Sequence, residues 1–263
     1  MIALERRDGR PLVIGHRGAA ALAPENTLRS FRAALAAGVD LIEFDVLELN
    51  GGELVLAHSN DLAEVSHGAA RGTVRDRTLQ GLREVAPELA TLDEALAFFT
   101  EGGQSVGVHL DLKTPGAEQK VADALDRFGV VERTLVSSFH VGSVRTLARI
   151  DPRLRAGISF PEDRLGISSR RGFGPVIRGG LRVLRPVTPP LVRQLLARSG
   201  ASVLVLHHAL VTPAAVRSAH GRGASVVAWT IDDLRDLLRV ETAGVDAVVM
   251  NDPAIFASEL GSG

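Results

Sequence analysis

Acidic side chains alternate with apolar ones near the start of the stretch Leu41 to His58, which reads LIEFDVLELNGGELVLAH. On a β-strand this alternation sends Glu43 and Asp45 to one face and the apolar residues to the other. Asn50-Gly51 is typical of a two-residue type I′ turn, so the chain is predicted to return as an antiparallel arm. That register places His58 opposite Glu43. Two carboxylates and one imidazole would then share a face, although a solvated hairpin face is the alternative.

Similar polar residues occur where other predicted strands end. His16 and Arg17 directly follow a short apolar strand near the N-terminus. Asp111 and Lys113 end a stretch in which every second residue is apolar. Each group also has a structural interpretation, such as an ion pair between Asp111 and Lys113. Their role therefore depends on whether the fold brings them together.

The elements around these residues alternate between short apolar strands and amphipathic helices, which is typical of an α/β fold with a parallel sheet. Apart from the antiparallel arm we predict eight strands, and eight such units make a TIM (β/α)8 barrel. The predicted strands are residues 12–15, 41–47, 106–112, 134–138, 155–159, 203–206, 225–229 and 247–250. In this fold the C-terminal strand ends meet at one mouth, so we expect the polar residues there to converge.

Two stretches depart from the alternation within what we predict to be a single domain of residues 1–263. Residues 48–90 are rich in Gly, Ser, Arg and Asp, and they predict a small insertion after the second strand. Residues 161–190 are rich in Arg, Gly and Pro and form too long a stretch for an ordinary connection. We predict a functional loop there.

The composition describes a globular protein without bulk attraction to polyanions. Apolar residues make up 45% of the chain, and the formal net charge is −1, so a nucleic-acid partner is not expected. The absence of cysteine excludes disulfides and thiolate ligands. No stretch resembles a signal peptide or approaches the roughly 18 apolar residues of a spanning helix, so we expect a cytoplasmic protein.

A barrel mouth would collect three carboxylates. Glu43, Asp45 and Asp111 would repel one another strongly there unless a cation neutralised them. Oxygen ligands suit Mg²⁺ or Ca²⁺ better than Zn²⁺. Two histidines, an arginine and a lysine beside such a cation are suited to phosphoryl chemistry, because arginine binds phosphate oxygens and imidazoles transfer protons.

The same residues occur in ordered motifs that resemble the glycerophosphodiester phosphodiesterase family. The matching motifs are His16-Arg17-Gly18, Pro24–Thr27 (PENT), Glu43–Val46 (ExDV), His58, Asp111–Lys113, Ser138-Phe139 and Trp229-Thr230. The resemblance extends over roughly Val13 to Pro253, which is most of the chain.

This resemblance implies a metal-dependent phosphodiesterase that hydrolyses a small-molecule glycerophosphodiester to glycerol phosphate and an alcohol. It also implies a divalent cation, Mg²⁺ or Ca²⁺, on Glu43, Asp45 and Asp111, general acid and base catalysis by His16 and His58, phosphate binding by Arg17 and Lys113, and a pocket lined by Trp229. We favour His16 as the base and His58 as the acid. The oligomeric state is left open.

The chain departs from the family pattern at two positions. The family usually has Asp directly after its second histidine, where this chain has Ser59. The contact of that acid is therefore either transferred to Asp61 or lost. The third metal ligand is usually Glu, whereas here it is Asp111, as in the related venom-type phospholipase D branch. The second departure leaves the substrate open.

Three alternatives to the leading function remain. The first is phospholipase D-like action on lysophospholipids, since the Arg-rich residues 161–190 could contact an anionic lipid interface. A Schiff-base aldolase could use Lys113, although three nearby acids would keep that amine protonated. The last is a phosphate-binding protein without catalysis.

Overall fold

The computed structural model describes residues 3–161, 181 and 183–255. The strands of these residues are β1 (Leu12–Gly15), β2 (Leu41–Glu48), β3 (Leu54–Leu56), β4 (Gly107–Leu112), β5 (Thr134–Ser138), β6 (Arg155–Phe160), β7 (Val203–His207), β8 (Ser225–Ile231) and β9 (Ala247–Met250). The α-helices with described bounds are α1 (Leu28–Ala36), α2 (Leu62–Val65), α3 (Leu79–Arg83), α4 (Leu92–Glu101), α5 (Glu118–Arg127), α6 (Val141–Ile150), α7 (Thr188–Ser199), α8 (Pro213–His220) and α9 (Leu234–Ala243).

Eight of these strands form a closed parallel barrel. The hydrogen-bonded order is β1-β9-β8-β7-β6-β5-β4-β2, and pairing of β1 with β2 completes the cylinder. The ninth strand, β3, pairs antiparallel with β2 outside this ring. The architecture confirms the predicted TIM barrel, and all eight predicted strands are present with ends that differ by no more than two residues.

Strand β2 shows how the sequence alternation divides the two sides of the barrel wall. Its outward residue Phe44 is fully buried and packs against Phe31 of α1 and Phe99 of α4, with ring centroids 5.3 and 6.0 Å apart. On the inner side, Leu41 belongs to a buried cluster of strand residues from around the barrel. The inner face is therefore apolar at Leu41, the first residue of β2, and acidic at the next two inward positions, Glu43 and Asp45.

Polar N-caps explain where several helices begin. The Thr27 and Thr91 hydroxyls accept hydrogen bonds from the third residue of α1 and α4, and in both cases that residue returns a side-chain bond to the cap. Asp233 caps α9 in the same way through its carboxylate. These caps satisfy backbone N–H groups that otherwise have no partner at a helix start.

The predicted register of the hairpin is wrong by one residue. Val46 pairs with Leu56, and the Leu49 N–H donates to the Glu53 carbonyl at 2.8 Å, which leaves a loop of three residues, 50–52. The physical reason is that Gly52, with φ 95°, takes the left-handed conformation and adds a residue to the turn. His58 consequently does not lie opposite Glu43, and strand pairing ends before it.

The segment after β2 packs around a small apolar cluster of its own. Besides β3 it contains α2 and α3, and its buried residues are Leu47, Leu49, Val55, Ala57, Leu62, Val74, Leu82, Ala86 and Leu89. The second irregular stretch, predicted at 161–190, lies largely outside the described residues, although its last residues from Thr188 belong to α7. Among the described residues, no helix has the length and apolar character needed to cross a bilayer.

Candidate active site

On one edge of β2, the edge that pairs with β1 and β3, the hydrogen-bond ladder is interrupted where the candidate ligands lie. Strand β1 pairs only with the first residues of β2, and β3 pairs only with its last ones. Loop groups fill the gap between them. The Gly18 N–H donates to the Glu43 carbonyl at 2.9 Å, the Asp45 N–H donates to Asn26 Oδ1 at 3.0 Å, and the Ala57 N–H donates to the Asp45 carbonyl at 3.2 Å. The loop after β1 therefore completes the barrel wall at the site.

The conformation of that loop depends on residues with positive φ. Arg17, Gly18 and Asn26 have φ values of 48°, 88° and 57°. A side chain on Gly18 would overlap Ser30, whose hydroxyl donates to the Arg17 carbonyl at 2.7 Å. The folded-back loop points the Arg17 N–H at Glu43 Oε2, 2.8 Å away. The HRG and PENT motifs thus position the first candidate ligand.

Asp45 lies at the centre of a buried ionic network. Its Oδ1 is 2.5 Å from Lys113 Nζ, and its Oδ2 is 3.1 Å from Arg17 Nε and accepts a hydrogen bond from Asn26 Nδ2 at 2.9 Å. Burial opposes ionisation of this carboxyl, but the charges of Lys113 and Arg17 outweigh it and hold its pKa well below the usual range. Asp45 is therefore a carboxylate at neutral pH.

Asp111 lies beside Asp45 on the adjacent strand, β4. The two are direct register partners on β2 and β4, and Lys113 Nζ lies between them, 2.7 Å from Asp111 Oδ2. Ser137 donates to Asp111 Oδ1 at 2.6 Å. Burial acts to lower the pKa of Lys113, but the adjacent acids raise it above the ordinary value, so the amine stays charged. This charge state argues against a Schiff-base nucleophile.

Glu43 carries the effect of excess negative charge at this mouth. It is 5% exposed, and burial together with the charge of Asp45 raises its pKa well above the usual range. Three buried carboxylates suit a hard divalent cation by the chemistry of their donor atoms. In the described residues, however, no three potential ligands surround a common point as they stand, because the Lys113 ammonium lies between Asp45 and Asp111. In this arrangement the Lys113 ammonium is the cation that neutralises Asp45 and Asp111.

The two candidate acid/base histidines reach the mouth from separate segments. His16, at the end of β1, donates from Nδ1 to Asn251 Oδ1 at 2.6 Å. Burial and the neighbouring Arg17 lower the pKa of His16 to about 3, so its imidazole is neutral at physiological pH. His58 follows β3 and places Nδ1 2.7 Å from Glu64 Oε1. The sequence left the contact of the missing family acid either to Asp61 or lost, and Asp61 caps α2.

Trp229 lies at the same mouth, at the end of β8. Its indole N–H donates to the Val205 carbonyl at 3.2 Å, and the partly buried ring packs against the inner apolar cluster. The ring packs edge-on against Phe139, with centroids 5.8 Å apart, and the Lys113 ammonium is 5.9 Å from the Phe139 centroid. All eight residues that the sequence singled out therefore lie around the C-terminal ends of the strands.

Comparison with known proteins gives this arrangement a family. A model of the glycerophosphoryl diester phosphodiesterase family matches residues 16–255. The chain belongs to this family. Membership confirms the resemblance seen in the motifs and the prediction of a phosphodiesterase.

Individual relatives cover nearly the whole chain of this family member. The glycerophosphodiester phosphodiesterase of Caldanaerobacter subterraneus subsp. tengcongensis is 27% identical over 260 residues, which is 93% of this chain and 95% of the relative. A Silicibacter pomeroyi structure described as a glycerophosphoryl diester phosphodiesterase superposes with a TM-score of 0.78 at 25% identity, covering 98% of this chain and 96% of the other. An Oleispira antarctica phosphodiesterase bound to its product sn-glycerol-3-phosphate gives a TM-score of 0.74 at 23% identity, with 96% and 98% coverage.

Sequence reasoning assigned no functional role to several polar partners in this phosphodiesterase. Both the oxygen and the nitrogen of the Asn26 side-chain amide bind Asp45. The other hydrogen-bond partners without an assigned role are Glu25, which binds Arg17; Glu64, which binds His58; Ser137, which binds Asp111; and Asn251, which binds His16. Only the PENT motif offered a signal in advance, because it contains both Glu25 and Asn26.

A cavity of about 240 Å³ opens beside His58. One wall comes from the loop before α1, including Glu25, and the other from the insertion, including Glu64 and Glu88. The pocket is therefore shared between the barrel and the segment inserted after β2. Its position makes His58 the candidate proton-transfer group nearest to a group bound there.

Proposed function

We propose that this protein hydrolyses glycerophosphodiesters to glycerol phosphate and an alcohol in a reaction that depends on a divalent cation, Mg²⁺ or Ca²⁺. The observation that carries the proposal is the grouping of two independently held imidazoles with buried carboxylates and two permanent cations at one barrel mouth. Family membership and the product held by the Oleispira antarctica relative support the same chemistry.

In this proposal the cationic side chains bind the phosphate and the acidic side chains bind the metal ion. Arg17 and Lys113 carry the positive charge that would neutralise the non-bridging phosphate oxygens. Glu43, Asp45 and Asp111 would hold the cation, which when bound supplies further charge neutralisation at phosphorus. Lys113 would exchange its carboxylate partners for phosphate as the cation enters.

The two histidines differ in what binds their Nδ1 atoms, and this difference supports separate roles. His16 is bonded to a neutral amide and has a lowered pKa, so it is available as a base that takes a proton from the attacking water. His58 Nδ1 is instead bonded to the Glu64 carboxylate, and the ring lies beside the cavity. We assign His58 to protonation of the leaving alcohol.

A substrate panel tests the reaction. Chelator-treated enzyme should be inactive on glycerophosphocholine and should recover with Mg²⁺ or Ca²⁺, releasing glycerol phosphate. Lysophosphatidylcholine in the same panel tests the phospholipase D-like alternative. Turnover of lysophosphatidylcholine alone, or full activity in chelator, would contradict the proposal.

Leaving-group dependence tests the histidine assignment. His58→Ala should lose about 100- to 10,000-fold in kcat on glycerophosphocholine but much less on a nitrophenyl ester, whose leaving group needs little protonation. His16→Ala should lose similarly on both substrates. His220→Ala, at the opposite end of the barrel, is the matched control. Equal losses for the two active-site variants on both substrates would mean that they only position the substrate.

A further inference from the structure

Glu64 is the residue in contact with His58 that sequence reasoning left without a role. It lies in α2, six residues after the histidine, and its Oε1 is 2.7 Å from His58 Nδ1. Asp61 begins this short helix by accepting a hydrogen bond from the Ala63 N–H at 2.9 Å. The insertion therefore directs a glutamate, and not the nearer aspartate, onto the imidazole.

The Glu64 carboxylate is held at both oxygens. The Ser59 hydroxyl donates to Oε2 at 2.5 Å, while Oε1 accepts from His58 and lies 3.8 Å from Arg17 Nη1. Burial opposes ionisation of Glu64, but the hydrogen bonds from His58 and Ser59 lower its pKa to about 2. The group is therefore an oriented carboxylate that can only accept hydrogen bonds.

An acceptor at Nδ1 decides where the imidazole carries its proton. A neutral His58 ring keeps its hydrogen on Nδ1, so Nε2 exposes its lone pair, and a charged ring presents Nε2–H. The same contact prevents rotation of the ring about its side-chain bonds. A general acid needs both properties, since the proton must leave from one defined atom in one direction.

We propose that Glu64 is a positioning residue that fixes the ring orientation and tautomer of His58 for proton transfer. The role rests on the proposed function, because it acts through His58 and contacts no reacting atom. Glu64 also joins His58 to Arg17, so the proton donor and a phosphate-binding cation are held at a set separation.

Kinetics of single and double variants test this role. Glu64→Ala should lower kcat on glycerophosphocholine about 10- to 100-fold with KM within about twofold, because it removes part of the acid/base contribution and no substrate contact. Glu64→Gln keeps an acceptor for Nδ1–H and should fall between Glu64→Ala and the parent enzyme. Asp93→Asn is the matched control, since it removes an exposed carboxylate that pairs with Arg127 and does not line the cavity. In a His58→Ala background, Glu64→Ala should cause no further loss.

Nitrogen-15 spectra of the histidine rings give a readout independent of turnover. With neutral imidazoles in chelator, the parent protein should show His58 protonated on Nδ1, and Glu64→Ala should shift the proton towards Nε2. An unchanged tautomer, an unchanged kcat in Glu64→Ala, or a full additional loss in the His58→Ala background would each overturn the proposal. An active His58→Ala enzyme would instead refute the proposed function, while the tautomer result would still decide whether Glu64 orients the ring.

Discussion

Carboxylates at the two ends of the barrel have different partners. At the N-terminal end, Asp40 accepts a hydrogen bond from the Val13 N–H at 2.9 Å, and Asp246 accepts one from the Val226 N–H at 2.7 Å. Each therefore ties the start of its own strand to the start of a neighbouring strand. At the C-terminal end, Asp45 interacts chiefly with side chains, including Lys113 and Arg17.

The difference suggests separate roles for carboxylates bonded to backbone N–H groups, which support the fold, and carboxylates paired with side-chain cations, which are candidates for function. A backbone N–H is a fixed partner, so these bonds of Asp40 and Asp246 contribute to the fold, alongside their contacts with Arg7 and His220. Side-chain cations can change partners, so under the proposed function Asp45 and Asp111 would exchange Lys113 for a divalent cation. The following predictions test this division, beginning with the largest expected effect.

Replacing an acidic residue at the barrel mouth with its amide should remove activity while leaving the protein folded. We expect Asp45→Asn and Asp111→Asn each to lower kcat/KM by about 100- to 1,000-fold, because each removes a fixed negative charge from an electrostatic site. Cation affinity, measured by calorimetry, should fall in both. Unchanged affinity and turnover would show that these acids are structural, like those at the other end.

His16 should remain neutral through the range in which an ordinary histidine titrates. Its pKa of about 3 means that it gains a proton only in strong acid, so the folded state loses stability as pH falls from the unfolded value of 6.5 towards 3. In NMR of the chelated protein, its ring signals should not shift between about pH 8 and pH 5. A midpoint near 6.5 would show that burial and Arg17 do not suppress protonation of this ring.

At the N-terminal end, Asp246→Ala should reduce stability and spare catalysis. The variant leaves the buried Val226 N–H without its side-chain acceptor, which costs about 1–3 kcal/mol in the free energy of unfolding. Denaturant titration measures the loss, and kcat/KM of the folded fraction should stay within about twofold of the parent value. A large kinetic effect would mean that the two ends are coupled.

The smallest expected effect is on stability, because replacing Glu43 and replacing Asp45 should change the free energy of unfolding in opposite directions. Glu43 has a raised pKa, so its ionisation costs stability above pH 4.5, whereas the lowered pKa of Asp45 means that its charge stabilises the fold above pH 3.8. In chelator at neutral pH, Glu43→Gln should therefore unfold at slightly higher denaturant concentration and Asp45→Asn at lower. Shifts of the same sign would show that Lys113 does not discriminate between the two acids.

The barrel and its polar mouth could be predicted because both follow from local patterns. Alternation in β2 fixes which face Glu43 and Asp45 occupy, and parallel strand order brings Asp111 beside them. The hairpin register could not be obtained in this way, since two adjacent glycines can each supply the left-handed residue and only the packed loop selects Gly52.

The partners of the site residues were also beyond sequence reasoning. Glu64 reaches His58 through the turn of a helix of only four residues, and no sequence periodicity indicates such a contact. The placement of Lys113 between two carboxylates depends on its side-chain conformation, which the alternation of a strand does not determine. Contacts that depend on tertiary packing are therefore the part that required the structure.

The incomplete pairing along β2 has a mechanical consequence. Between β1 and β3 the cylinder is fastened by Gly18 and Asn26, and the loop that holds them also carries Arg17. The loop that completes the barrel wall therefore also carries the arginine that we propose binds phosphate. Under the proposed function, a phosphodiester bound by Arg17 would restrain the same loop that completes the barrel wall beside β2.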